Sequence, residues 1–136
     1  MKFRERILKS GTKLLLGKNA KNNEELVRKF KGKENIILHT AAPGSPFCVI
    51  GDLKPSKEDI SLSGVICARY SQDWRDNKKD VVVHRFKGRD VFKRKNMPIG
   101  TFGVKKFRRI KIKKSDIKKF ENDTKPAPTR KTRNNK

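Results

Sequence analysis

Two histidines, two cysteines and a Gly-Ser turn are the residues here whose types could do chemistry. His39 closes the apolar run Ile36-Ile37-Leu38, and His84 follows Val81-Val82-Val83. A thiol beside an imidazole can serve as an activated nucleophile. His39 with Cys48 is the pairing of that kind worth naming. Cys48 sits in the apolar stretch Phe47-Cys48-Val49-Ile50, where a thiol keeps its proton and stays inert. No nucleophile–base–orienter set can be assembled, so catalysis is not expected. Asp and Glu are scattered, so no metal cage is expected. Gly17-Lys18-Asn19 lacks the remainder of a P-loop, and no cofactor is expected. Cys48 and Cys67 lack Cys-x-x-Cys spacing and read as buried free thiols, which fits a reducing, cytoplasmic setting.

The stronger chemistry is electrostatic. The 136 residues carry a formal net charge of +23, and 38% of them are charged. A compact domain with that excess repels itself, so the charge points to a polyanionic partner, with RNA ahead of DNA and of an acidic membrane surface. No long basic amphipathic helix supports the membrane reading. The N-terminal stretch is too interrupted by charge for a signal peptide, and no apolar run approaches the ~20 residues of a membrane span. Basic side chains crowd residues 105–119, among them Arg108, Arg109, Lys111 and Lys113. There they can neutralise phosphates and release counterions. Aromatic residues are sparse at 7%, which favours backbone and shape recognition over a sheet that stacks several bases.

The elements that must position these groups follow from local signals. Ser10-Gly11 separates two short strands as a hairpin turn, the second ending at Gly17. Asn22 or Asn23 can cap a short helix over about 23–31, with Leu26 and Phe30 four apart on its apolar face and Gly32 after its end. Strands follow at 36–39 and 47–50, joined by the turn Ala42-Pro43-Gly44-Ser45-Pro46. Ser56 caps a long helix over about 57–72, apolar nearly all round and therefore buried between layers. Residues 73–79 read as a polar loop, and 81–86 as a β-branched central strand. A last hairpin is expected from 101–105 and 109–113, with Ile110 and Ile112 on one face and Arg109, Lys111 and Lys113 on the other. The expectation is one α+β domain over residues 1–120, with a mixed, mostly antiparallel sheet, followed by a basic disordered tail over 121–136.

The ordered set Gly17-Lys18-Asn19, Asn23-Glu24-Glu25-Leu26, Leu38-His39 and Pro43-Gly44-Ser45 resembles the RNA-binding domain of the NFACT family. That domain occurs in ribosome quality-control tailing factors and in fibronectin-binding-like proteins. The likeness runs roughly from Gly11 to Ile117 and takes in Lys87, Arg89, Val91, Lys93 and Gly100. Two positions depart from the family pattern: Ile37 stands where an aromatic residue is usual, and Pro46 where a His is usual. The chain resembles the stand-alone form of the domain, without the N-terminal domain and coiled-coil arm of the large family members, so tailing activity is not expected.

The resemblance implies an RNA partner, tRNA or ribosomal RNA, with the large ribosomal subunit as the setting. On its account Lys18, Asn19, His39, Gly44, Ser45, Lys87, Arg89 and Lys93 are candidate RNA contacts. Arg69, Lys95 and the basic residues of 108–113 join them. The alternatives are a structural ribonucleoprotein component or an accessory subunit of an RNA-modification enzyme. The sequence carries no signal of oligomeric state.

Overall fold

The computed structural model describes residues 2–124. Strands β1 (Arg4–Ile7) and β2 (Lys13–Leu16) form the expected hairpin. Helix α1 follows at Ala20–Phe30, three residues earlier at its start than the sequence suggests. Its cap is Asn19, whose side chain accepts from the Asn22 N–H at 2.9 Å. Asn22 and Asn23 are buried and hold neighbouring loops instead. Asn22 Oδ1 accepts from Lys18 N at 2.9 Å, and Asn23 Oδ1 accepts from Phe47 N at 3.1 Å. A Cβ on Gly17 would sit 1.8 Å from Asn23 Oδ1. Only glycine lets strand and helix close up at that point.

Strands β3 (Ile36–Thr40) and β4 (Cys48–Ile50) pair antiparallel across the Pro-Gly-Ser turn. Helix α2 (Lys57–Arg69) is capped by Ser56 and ends before the expected residue 72. Ser71 starts a new helix, α3 (Gln72–Asn77), by accepting from the Trp74 N–H at 3.1 Å, where a loop was expected. Strand β5 (Val81–Lys87) leads through a 3₁₀ turn into β6 (Val91–Phe92).

The expected final hairpin does not form. Strand β7 (Gly103–Val104) pairs with β6, whereas β8 (Arg108–Ile112) joins the main sheet beside β5. The division follows the core: Ile110 and Ile112 extend the apolar surface of Val81 and Val83, and Phe102 and Val104 pack in a separate cluster with Phe47 and Val91. Helix α4 (Lys114–Thr124) was not expected and covers four residues of the anticipated tail. Residues 125–136 of that tail lie outside the described residues.

The main sheet runs β1-β2-β4-β3-β5-β8, and every pairing in it is antiparallel. The fold is α+β. Strand alternation gives the sheet two faces. Leu14, Leu38, Cys48, Val83 and Ile112 turn to one face and pack with Ile66, Trp74 and Ile117 of the helices α2, α3 and α4. Helix α2 lies between that face and α4, as its all-round apolar pattern implies. On the other face Ile37, Val49 and Phe86 meet Leu26 and Val27 of α1 and Val91 of β6. Each fully buried aliphatic or aromatic side chain contributes roughly 1.5–3 kcal/mol.

Candidate nucleic-acid interface

The second face is covered only in part. Beyond α1 and the β6–β7 pair lies a cleft of about 730 Å³. The sheet supplies its floor. His39 of β3 pairs in register with His84 of β5, and His84 pairs with Arg109 of β8. The three side chains therefore lie in one row on one face. Phe47 extends the row, stacked on His39 with ring centroids 4.1 Å apart.

Three walls surround this floor. One is the start of α1, with Lys18, Asn19 and Ala20, where the positive end of the helix dipole opens. The second is the β3–β4 turn with the start of α3, which brings Arg75 to the cleft. The third is the 99–102 loop, with Ile99 and Phe102. Arg4 stands at the edge near β1. Three cations and two imidazoles line the cleft, and none of the fourteen Asp and Glu residues does.

Both imidazoles are kept uncharged at neutral pH. Burial lowers the pKa of His39 to about 4, with the His84 ring adding to the effect. Burial also lowers that of His84, and Arg109 opposite adds to it. His39 is thus a neutral ring, able to stack and to form hydrogen bonds but not to act as a fixed charge.

The thiol–imidazole pairing is not realised. Cys48 turns to the α2 face and His39 to the opposite one. Burial pushes the Cys48 thiol up, and both sulfurs lie within 3.9 Å of the Pro46 carbonyl. Both cysteines are free. Among the described residues there is no group of three or more His, Cys, Asp or Glu that could hold a metal ion. No helix among them is long and apolar enough to cross a membrane.

The structure sorts the candidate residues. Lys18, Asn19, His39, Gly44 and Ser45 come together around the cleft. Several of their groups also hold the fold. The Asn19 side-chain carbonyl is committed to the helix cap. The Ser45 hydroxyl accepts from Thr40 N at 3.1 Å, which fixes the turn. Gly44 has φ +89°, and a Cβ there would lie 2.6 Å from the Gln72 side chain. Glycine is therefore required for the turn to seat against α3.

Arg109 and Lys111 extend the cleft floor toward the sheet edge on the same face. Arg108 and Lys113 are exposed beside them. Lys113 also borders a second shallow recess with Lys111, Lys114, Lys118 and Asp80. Lys87 and Arg89 lie at the far end of β5, paired with Glu34 at 3.6 and 3.1 Å. Arg69 is on the α2 side, 2.6 Å from Glu121. Lys95 is exposed in the loop after β6.

Lys93 belongs to the scaffold. Its ammonium lies 2.9 Å from Glu24 and donates to the Pro98 and Thr101 carbonyls at 2.7 Å each, and it sits over the Phe102 ring. Glu24 also accepts from Gly100 N at 2.8 Å and pairs with Arg28. These bonds hold the Glu24 carboxyl below its ordinary pKa against the opposing effect of burial, which is the largest single influence. The network fixes the 98–101 loop against α1 and so shapes one cleft wall.

Arg4, Arg75, Phe47 and His84 complete the cleft without having been candidates. His84 carried a signal, the alternation Val82-His84-Phe86. Arg75 carries none, because the polar stretch 73–79 shows no helical apolar pattern.

The comparisons with known proteins bear on the fold and the family. No curated protein matches the chain significantly. The solved structure of the C-terminal part of the fibronectin/fibrinogen-binding protein from Streptococcus suis is similar, with a TM-score of 0.75 and 22% sequence identity. The match covers 88% of this chain and 49% of that one, so the chain spans about half the length of that structure. At that identity the likeness is one of fold. The family model described as the NFACT protein RNA binding domain matches residues 2–106, most of the chain. Its general role is RNA binding. The chain belongs to the NFACT RNA-binding domain family.

Proposed function

We propose that the cleft and the adjoining β8 surface bind structured RNA, tRNA or ribosomal RNA, in a translation or ribosome quality-control setting. The observation that carries this reading is the cleft lining: Lys18, Arg4, Arg75 and the mouth of α1, with no carboxylate among them. A site of that kind attracts phosphate through side-chain cations and open backbone N–H groups together. The role is binding rather than catalysis, since the imidazoles face no thiol and stack as neutral rings. The buried free thiols suit a reducing compartment, and we assign the protein to the cytoplasm.

The test is binding of the full chain to a tRNA and to duplex DNA of similar charge across a salt series. Folded RNA should bind more tightly, and affinity should fall steeply with salt. Lys18→Gln should weaken tRNA binding and reduce the salt slope by about one if Lys18 meets one phosphate. Equal affinity for both polyanions, or an unchanged slope in the variant, would overturn the reading. Crosslinking in cells with sequencing of the bound RNA would then name the target.

A further inference from the structure

Five rings line the open face of the sheet in two stacked groups that meet at the His39–His84 register pair. Phe102 meets Phe47 edge-on, with centroids 5.9 Å apart at 88°. Phe47 stacks on His39 at 4.1 Å and 19°. His39 lies opposite His84 in the β3–β5 register. Phe107 closes the row over His84, at 4.3 Å and 30°. The row is graded. Phe47 is 4% exposed and Phe107 is 47% exposed. From Phe47 in the core it passes through the half-buried imidazoles to Phe107 in solvent.

A single exposed aromatic on a protein surface needs no explanation. Phe107 is different because its ring is held against another ring and framed by charge. Lys105 and Lys106 precede it, and Arg108 and Arg109 follow it. An unpaired nucleotide strand presents flat apolar bases and, a few ångströms away, a line of phosphates. A ring set among cations matches both features, and Arg109 lies directly across from His84. The imidazoles add to the match because, uncharged, they present apolar faces like the phenyl rings.

The geometry points to the His39–His84–Phe107 row as a stacking platform for unpaired RNA bases, with Phe107 the outermost ring and the surrounding Lys and Arg on the phosphates. This rests on the RNA-binding reading of the cleft and adds a base-dependent contact to a backbone one. It also revises the expectation from composition that a stacking sheet would be absent: two of the rings are histidines, which an aromatic count leaves out.

The experiment uses the full chain with a short single-stranded RNA, and with the same RNA made abasic at its central positions. A 2-aminopurine at one of those positions reports stacking by fluorescence. Stacking is worth roughly 1–3 kcal/mol per base, so Phe107→Ala should weaken binding of the intact strand by about 5- to 150-fold. It should also abolish the 2-aminopurine quenching on binding. Phe107→Trp should retain both affinity and quenching. The abasic strand should bind weakly to the wild type and no more weakly to Phe107→Ala. Equal binding of intact and abasic strands, or an equal loss for both in Phe107→Ala, would overturn the platform. If Lys18→Gln still lowers the salt slope in that case, the cleft reading survives without the platform; if it does not, both fall.

Discussion

The two faces of the six-stranded sheet are made by the same strands and end up with different tasks. On the α2 side the inward positions are mostly apolar, with the buried Thr40 among them, and α2, α3 and α4 close over them. On the other side α1 and the β6–β7 pair cover one part, and the remaining part keeps two histidines, a stacked phenyl ring and a row of cations. Alternation along β5 shows the contrast in one strand: Val81 and Val83 are buried, whereas Val82 and His84 are half-exposed. The closed face supplies stability. The open face can carry unusual side chains because its neighbour does not depend on them.

Breaking the closed face should therefore be costly and breaking the open face cheap. Trp74 is 1% exposed, and its indole N–H donates to Glu121 at 3.1 Å. Trp74→Ala should cost about 3–5 kcal/mol, from lost burial and the cavity left behind. That is a large share of the 5–15 kcal/mol typical of a domain. Denaturant titration would measure it. A loss under about 1 kcal/mol would mean that the α2–α4 layer is not the main core.

The open face is tied energetically to the fold as well, and at His39 pH exposes the tie. His39 is neutral when folded because burial holds its pKa at about 4, below the ordinary 6.5. Above 6.5 neither state binds the proton, and the stability is whole. As pH falls from 6.5 toward 4 the unfolded chain takes up the proton first, so stability is lost across that window. The gap amounts to about 3 kcal/mol at its full extent. Unfolding midpoints between pH 7 and pH 5, above most carboxylate titration, should fall in the wild type. They should fall less in His39→Phe, which keeps the stack on Phe47. Equal slopes in the two proteins would refute the assignment.

The same contrast decides what could be read from the sequence. The closed face was legible because it obeys simple periodicity: β-branched runs, a capped helix at Ser56, and an apolar pattern all round α2. Two elements there escape sequence reading because of local competition. Ser71 restarts the chain as α3, and the α4 pattern Ile117, Phe120, Glu121 is diluted by lysines on every side. The open face was legible only in pieces. Gly17-Lys18-Asn19 and Pro43-Gly44-Ser45 marked the right corners, but their side chains turned out to cap a helix and fix a turn as well as line the cleft. The row of rings depends on which residues face each other across β3, β5 and β8. That is set by register, and no single segment contains it.

Lys93 sharpens the division within the open side. The family resemblance makes it a candidate RNA contact, yet its side chain is only 13% exposed and fully engaged with Glu24 and two carbonyls. Lys93→Met should cost about 1–3 kcal/mol by leaving those acceptors short of a donor. It should also loosen the 98–101 wall, so RNA affinity falls together with stability. Lys93→Arg keeps the charge but not the compact ammonium, and it should restore neither fully. A Lys93→Met protein of normal stability with reduced RNA binding would instead make Lys93 a direct ligand.

The smallest effect should come from Arg69, and it separates the two faces most cleanly. Arg69 and Lys18 carry the same charge, and both were candidates on sequence grounds. Arg69 lies 2.6 Å from Glu121, with its side chain 37% exposed, on the closed side. An ion pair at that exposure is worth about 0–1 kcal/mol, so Arg69→Gln should barely move the unfolding midpoint. It also removes one positive charge from the whole molecule, as Lys18→Gln does. If RNA responds only to net charge, the two variants should weaken binding alike and change the salt slope alike. If RNA sits in the cleft, Lys18→Gln lowers the slope and Arg69→Gln leaves it where it was. The paired measurement thus asks whether the +23 acts as a diffuse cloud or through one face of the sheet.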